Sequence, residues 1–147
     1  MTQLADASTA PPRSVVLGST SRYRRELMER LLIPFSVAAP HVDETPLPGE
    51  APKALALRLA LAKANAVAAL HPEAVVIGSD QVADLAGQPL GKPGHAAAAH
   101  RQLQQLSGQT VTFFSAMAVV LGSQIQSVVV PTHCVFRTLS DAAISRY

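Results

Sequence analysis

The chain has 147 residues, a length that suits one domain with a real core and leaves little room for a second. It is 48% hydrophobic and 15% charged, which is a globular composition and excludes a disordered chain. A formal charge of +2 excludes a broad nucleic-acid-binding face. Arg22, Arg24 and Arg25 crowd one short segment, and the lysines number only three, Lys53, Lys63 and Lys92, so a local positive pocket is the form the charge can take.

From the start, Met1 to Arg13 holds small polar residues and two prolines and reads as a disordered tail without the pattern of a secretory signal. Ser14 to Leu17 suits a short strand. Gly18-Ser19-Thr20-Ser21 then leads into a helix over Arg22 to Leu32, with Tyr23, Leu27 and Leu31 at helical spacing and Ser21 as N-cap. Strand, small polar loop and helix start together aim backbone N–H groups and hydroxyls at an anion. The same loop fits an ordinary capped helix equally well, and it is not a Walker loop.

Ile33 to Ala38 suits a second short strand, followed by a proline-rich loop over His41 to Pro52 that carries Asp43, Glu44 and Glu50. Pro52 opens the longest predicted helix, to about His71, with Leu55, Leu59, Ala62, Ala66 and Leu70 as its apolar stripe. Lys63 falls at the edge of that stripe, where it either snorkels outward or points into a cleft. No apolar run reaches membrane-spanning length, because Arg58 and Lys63 interrupt the best candidate.

Val75-Val76-Ile77-Gly78-Ser79-Asp80 is a buried-strand pattern that delivers a carboxylate at or near its carboxyl end, the place where ligands collect in open α/β sheets. Val82 to Leu90 is a hairpin around Ala86-Gly87-Gln88, and Gly91-Lys92-Pro93 sets a lysine in a turn. An alanine-rich helix over Gly94 to Leu106 is stopped by Ser107-Gly108. Thr110 to Leu121 and Ile125 to Phe136 form a long hairpin, and Ser140-Asp141 caps a last helix. Alternating strands and helices followed by a hairpin predict an α/β domain with a mixed central sheet flanked by helices. The five histidines show no zinc-like pairing, and the single cysteine, Cys134, fits a reducing cytoplasm.

Six segments, Ser19-Thr20-Ser21-Arg22-Tyr23-Arg24-Arg25, Val42-Asp43-Glu44, Arg58 to Ala64, Gly78-Ser79-Asp80-Gln81-Val82, Gly91-Lys92-Pro93 and Ser107-Gly108, occur in the order of the Maf nucleotide pyrophosphatases, which the chain resembles across residues 14–147. The Gly-Ser-Asp-Gln form, with an aromatic residue before Arg24, is similar to the 7-methyl-GTP pyrophosphatase subgroup. The resemblance implies a Maf/ITPase-like fold and a cytoplasmic, house-cleaning hydrolase. That enzyme converts a nucleoside triphosphate to the monophosphate and pyrophosphate with a divalent cation, Mg2+ or Mn2+. Asp80 matches the proton acceptor. Ser19, Ser21, Arg24, Lys63 and Lys92 match the phosphate-binding groups, and Glu44 with Asp80 the metal position, with Asp43 the neighbouring choice. Tyr23 and Gln81 match two positions of base selectivity.

Two alternatives stand beside this: a dTTP- or UTP-type pyrophosphatase, and a nucleotide-binding, septum-regulating protein without turnover. Family members continue past the position of Tyr147, so the resemblance also carries the expectation of a C-terminally incomplete domain. An unpaired hairpin edge then invites a homodimer.

Overall fold

The computed structural model describes residues 11–147, so most of the expected tail, residues 1–10, lies outside the described residues. The elements run β1 (Val15–Gly18), α1 (Arg22–Glu29), β2 (Ser36–Ala38), α2 (Pro52–Ala68), β3 (Val75–Leu85), β4 (Gln88–Leu90), α3 (Ala96–Leu106), β5 (Thr110–Leu121), β6 (Gln124–Val135) and α4 (Asp141–Arg146). They build the expected mixed α/β architecture: one six-stranded sheet of order β2-β1-β3-β5-β6, with β4 paired to β3 off that path. β1 runs parallel to β2 and β3, whereas β5 is antiparallel to both β3 and β6. α2 packs mainly on β3 and β5.

β3 is the spine, and its edges explain the cleft. Along one edge it pairs continuously with β5, from Val76 opposite Val120 to Asp84 opposite Thr112. Along the other it pairs first with β1, ending at Gly78 opposite Gly18, and then with β4, beginning at Ala83 opposite Leu90. Ser79 to Val82 fall between the two registers, so the sheet is notched there. Asp80 sits in the notch, in the middle of an eleven-residue strand and not near its end as the sequence suggests. The short strand reading fails because β3 continues into a tight hairpin whose two turn residues, Ala86 and Gly87, both have positive φ (52° and 84°). That is the turn geometry that lets two twisted strands continue together.

α2 lies against the face of β3 that carries Val76, Gly78, Asp80 and Val82, all buried. Its own buried side is Pro52, Leu55, Ala56, Leu59, Ala60, Lys63, Ala64 and Val67. This corrects the predicted stripe: Leu70 is 77% exposed, and Lys63 lies within the buried side, not at its edge. Small residues decide the orientation. Ala56, Ala60 and Ala64 form a ridge without bulk, and Gly78 presents no side chain to it. A Cβ at Gly78 would overlap the Ala60 carbonyl oxygen and stand 2.5 Å from the Ala64 amide nitrogen. Helix and strand backbones therefore touch, and Leu55, Leu59 and Val67 fill the space beside them, worth about 1.5–3 kcal/mol each by burial.

The remaining elements follow the sequence with shorter ends. α1 is capped by Ser21 and stops at Glu29, three residues early, and Leu32 beyond it takes a left-handed φ of 56°. β2 keeps only Ser36–Ala38 of its expected span. His95 caps α3 through Nδ1, which accepts the Ala98 amide at 3.1 Å, and Ser140 caps α4. The long hairpin turns through Gly122 and Ser123. No helix among the described residues is long and apolar enough to cross a membrane.

Candidate active site

Lys63 and Asp80 meet because α2 and β3 touch. One residue before Ala64 and two after Gly78, their side chains share the gap just beyond the tightest contact. Lys63 Nζ donates to Asp80 Oδ1 at 2.8 Å, and both residues are 7% exposed. Small Ala116, directly opposite Asp80 on β5, leaves room for the carboxylate. On the other side of the ammonium stands Glu44 Oε1, at 2.5 Å, on a side chain still 59% exposed. One cation thus joins a carboxylate from the sheet to one from the loop before α2. A charge this buried is stable only when paired, and Lys63 has two partners.

That loop is held by a second helix residue. Arg58 grips Glu50 in a two-pronged contact, Nε to Oε2 at 2.6 Å and Nη2 to Oε1 at 2.8 Å, and reaches the Thr45 carbonyl oxygen at 3.1 Å. The Arg58 guanidinium, with the Leu47 amide, holds the Glu50 carboxyl down at about 2. Glu50 in turn holds Arg58 above its ordinary value. Asp43 accepts the Thr45 amide at 2.9 Å, and hydrogen bonding to Thr45 lowers its pKa. Asp43 is thereby spent on the turn, and Glu44 is the residue that faces Lys63. The Arg58–Glu50 clamp is not among the sequence-based expectations. An acidic residue just before a helix N-terminus and an arginine in its second turn were the available signal.

The phosphate-type loop opens on the same space. Ser19 is buried, and its Oγ accepts the Ser21 amide at 3.1 Å and Arg24 Nη1 at 3.4 Å. Ser21 Oγ caps α1 by accepting the Arg24 amide at 3.4 Å. The first-turn amides of Arg22 and Tyr23 have no acceptor within the helix, as at any helix start. Two adjoining hollows result. One, of about 370 Å3, is walled by Ser19, Ser21 and Tyr23; the other, of about 420 Å3, by Asp80, Leu59 and Leu90. Arg24, Glu44, Lys63 and Lys92 line both, so the hollows form one cleft. The acid of the middle strand and cations from three separate elements of the chain face a common concavity.

The two expected selectivity residues line different hollows of the one cleft. Tyr23 is 77% exposed at the loop end of the cleft. Gln81 lines the other hollow together with Asp80, and its Nε2 donates to Ser115 Oγ at 2.8 Å. A larger hollow, of about 490 Å3, lies between α3, the end of β6 and α4, but its lining is mostly apolar and it holds no cluster of charges.

Two carboxylates and three cations thus share one cleft beside a helix start, an arrangement with the charge to meet a polyphosphate. Among the described residues no three His, Cys, Asp or Glu side chains converge as a metal cage. Glu44 and Asp80 alone still fit an ion of the magnesium type, which commonly takes one or two carboxylates and completes its shell with water and substrate phosphates.

Comparison with known proteins gives the family. The Maf-like protein family matches residues 14–147, and the chain belongs to it. The chain is 58% identical over 138 residues to a 7-methyl-GTP pyrophosphatase of Bordetella pertussis, covering 94% of this chain and 69% of that one. It is 60% identical over 145 residues to a protein of the same name from a Polaromonas species, covering 97% and 66% respectively. A third of that name, from Cupriavidus metallidurans, is 54% identical over 136 residues, covering 91% and 68%. The chain spans about two thirds of the length of these relatives.

Proposed function

We propose that the protein is a nucleoside triphosphate pyrophosphatase acting on 7-methyl-GTP or a closely similar modified nucleotide, in a house-cleaning role in the cytoplasm. The observation that carries this reading is the single cleft shared by Asp80, Arg24, Lys63 and Lys92, in a chain whose relatives bear that name.

The triphosphate lies across the cleft with its charge met by Arg24, Lys63 and Lys92, and with oxygens at the first-turn amides of α1. Clamping from several sides fixes the chain of phosphates and leaves one phosphorus open to water. Asp80 accepts the proton of that water as its oxygen bonds to the phosphorus. The bridging anhydride oxygen departs with the pyrophosphate, and the monophosphate remains. Glu44 and Asp80 would hold Mg2+ or Mn2+, which supplies charge neutralisation and an acidified water when bound. Tyr23, exposed at the cleft mouth, offers a ring face to a base; a cationic 7-methylguanine stacked on it gains about 0.5–2 kcal/mol. Gln81, which lines the Asp80 hollow and donates to Ser115, is the second base-selectivity position.

The test is turnover on a panel of 7-methyl-GTP, GTP, UTP and dTTP with magnesium and with manganese, assayed as pyrophosphate released. Preference for 7-methyl-GTP is the expected result. Preference for UTP or dTTP overturns the substrate, and tight nucleotide binding with no pyrophosphate under any metal overturns the enzymatic reading.

A further inference from the structure

We propose that the Lys63 ammonium is the built-in counter-cation of Glu44 and Asp80 in the free protein. It keeps a divalent cation off that pair until a polyphosphate draws the ammonium away. The inference deepens the pyrophosphatase reading and rests on it for the identity of the polyphosphate.

Three observations carry it. Lys63 Nζ stands between the two carboxylates, 2.8 Å from Asp80 and 2.5 Å from Glu44, so it fills the position from which one cation would reach both. An ammonium there repels a second cation and occupies one oxygen of each carboxylate, Asp80 Oδ1 and Glu44 Oε1. The carboxylates arrive from separate elements, β3 and the loop before α2, and the lysine is the side chain that spans them; neither carboxylate pairs with Arg24 or Lys92. Finally, Lys63 lines both hollows of the cleft, whereas Asp80 lines only one and the Ser19–Ser21 loop only the other.

These positions define two seats for one ammonium on a flexible four-carbon stem. With the cleft free of phosphate, the carboxylates are the available anions. With a triphosphate on the loop, several negative charges stand on the other side of the same lysine. Its three N–H donors can then turn toward phosphate oxygens. Leaving the carboxylates, it frees them as the cation enters with the nucleotide. Lys63 therefore both binds phosphate and sets the order of assembly: nucleotide and metal enter together, and metal alone is held poorly.

The experiment measures Mn2+ binding to the whole chain by the loss of the free-ion electron paramagnetic resonance signal, with and without an α,β-imido GTP analogue, after subtracting the Mn2+ that the analogue takes up in the absence of protein. Wild-type protein is expected to bind Mn2+ at least ten-fold more tightly with the analogue than without it. Lys63→Met, and Lys63→Gln as a polar variant should the first not fold, are expected to bind Mn2+ alone at least ten-fold more tightly than wild type. Lys63→Arg, which keeps the charge, is expected to stay within about three-fold of wild type. Native circular dichroism with unchanged or weaker Mn2+ binding in both neutral variants overturns the proposal. So does nucleotide-free wild type that binds Mn2+ as tightly as the loaded form. These arms read the lysine without turnover. If Mn2+ binding follows the expected pattern and no substrate is cleaved, the pyrophosphatase reading falls and the role of Lys63 stands.

Discussion

The two faces of the central sheet are built to different standards. Where α2 covers β3, Ala60, Ala64, Val76 and Ala118 have essentially no exposed surface, and the helix backbone rests on Gly78. On the opposite face, across β5 and β6, Met117, Val128 and Val130 remain 43%, 46% and 52% exposed. Registers confirm that these are one surface, since Met117 faces Val128 and Ser115 faces Val130. Tolerance is tight where an acid and an ammonium must meet from two elements, and loose where the sheet only has to exist. A site assembled from distant segments can be only as well fixed as the packing beneath it.

The sharpest way to break this contrast is Asp80→Asn. Turnover should fall about 10²–10⁴-fold, the usual contribution of a general base. The melting curve should move little, because Lys63 keeps Glu44. Full turnover in Asp80→Asn would remove Asp80 from the chemistry. Next comes Gly78→Ala. The added methyl must push α2 away, costing about 3 kcal/mol, at the upper end of core overpacking, and measurable by urea denaturation. Because the same shift separates Lys63 from Asp80, turnover should fall further than stability alone explains. A variant as stable as wild type would contradict the backbone contact.

Acid offers an intermediate probe. Glu50 has a folded value of about 2 against an ordinary value of 4.5, so its carboxylate form is favoured in the folded state. The stabilisation it brings is complete above pH about 4.5 and is lost as pH falls toward 2. Melting temperature should therefore drop across that window, and drop less in Glu50→Gln, which starts without the contribution. The same variant should raise KM at neutral pH, because the loop that carries Glu44 loses its clamp. The smallest effect belongs to the open face: Val130→Thr should alter stability by no more than about 0.5 kcal/mol in the same denaturation assay. A much larger loss would mean that this face is covered in solution.

Much of this was legible in the chain itself. Element order followed hydrophobic periodicity, and the cations and acids of the cleft lay in motifs that kept the family's order. The buried side of α2 was not legible, because apolar residues occur on almost all sides of that helix and alanine carries little directional signal. What chose the buried side was the absence of bulk, an alanine ridge meeting a glycine, which a search for large apolar residues overlooks. The Arg58–Glu50 clamp was hidden for another reason: it joins a helix to an irregular loop, and no period relates the two.

The notch in β3 between Gly78 and Ala83 has one more implication. Main-chain carbonyls are the same whatever residue bears them, and so are the amides of every residue but proline. A guest that pairs with this stretch of strand would be recognised by groups that side-chain substitutions other than proline leave in place. Variation in the surrounding side chains could then retune which nucleotide enters while leaving that part of the grip unchanged.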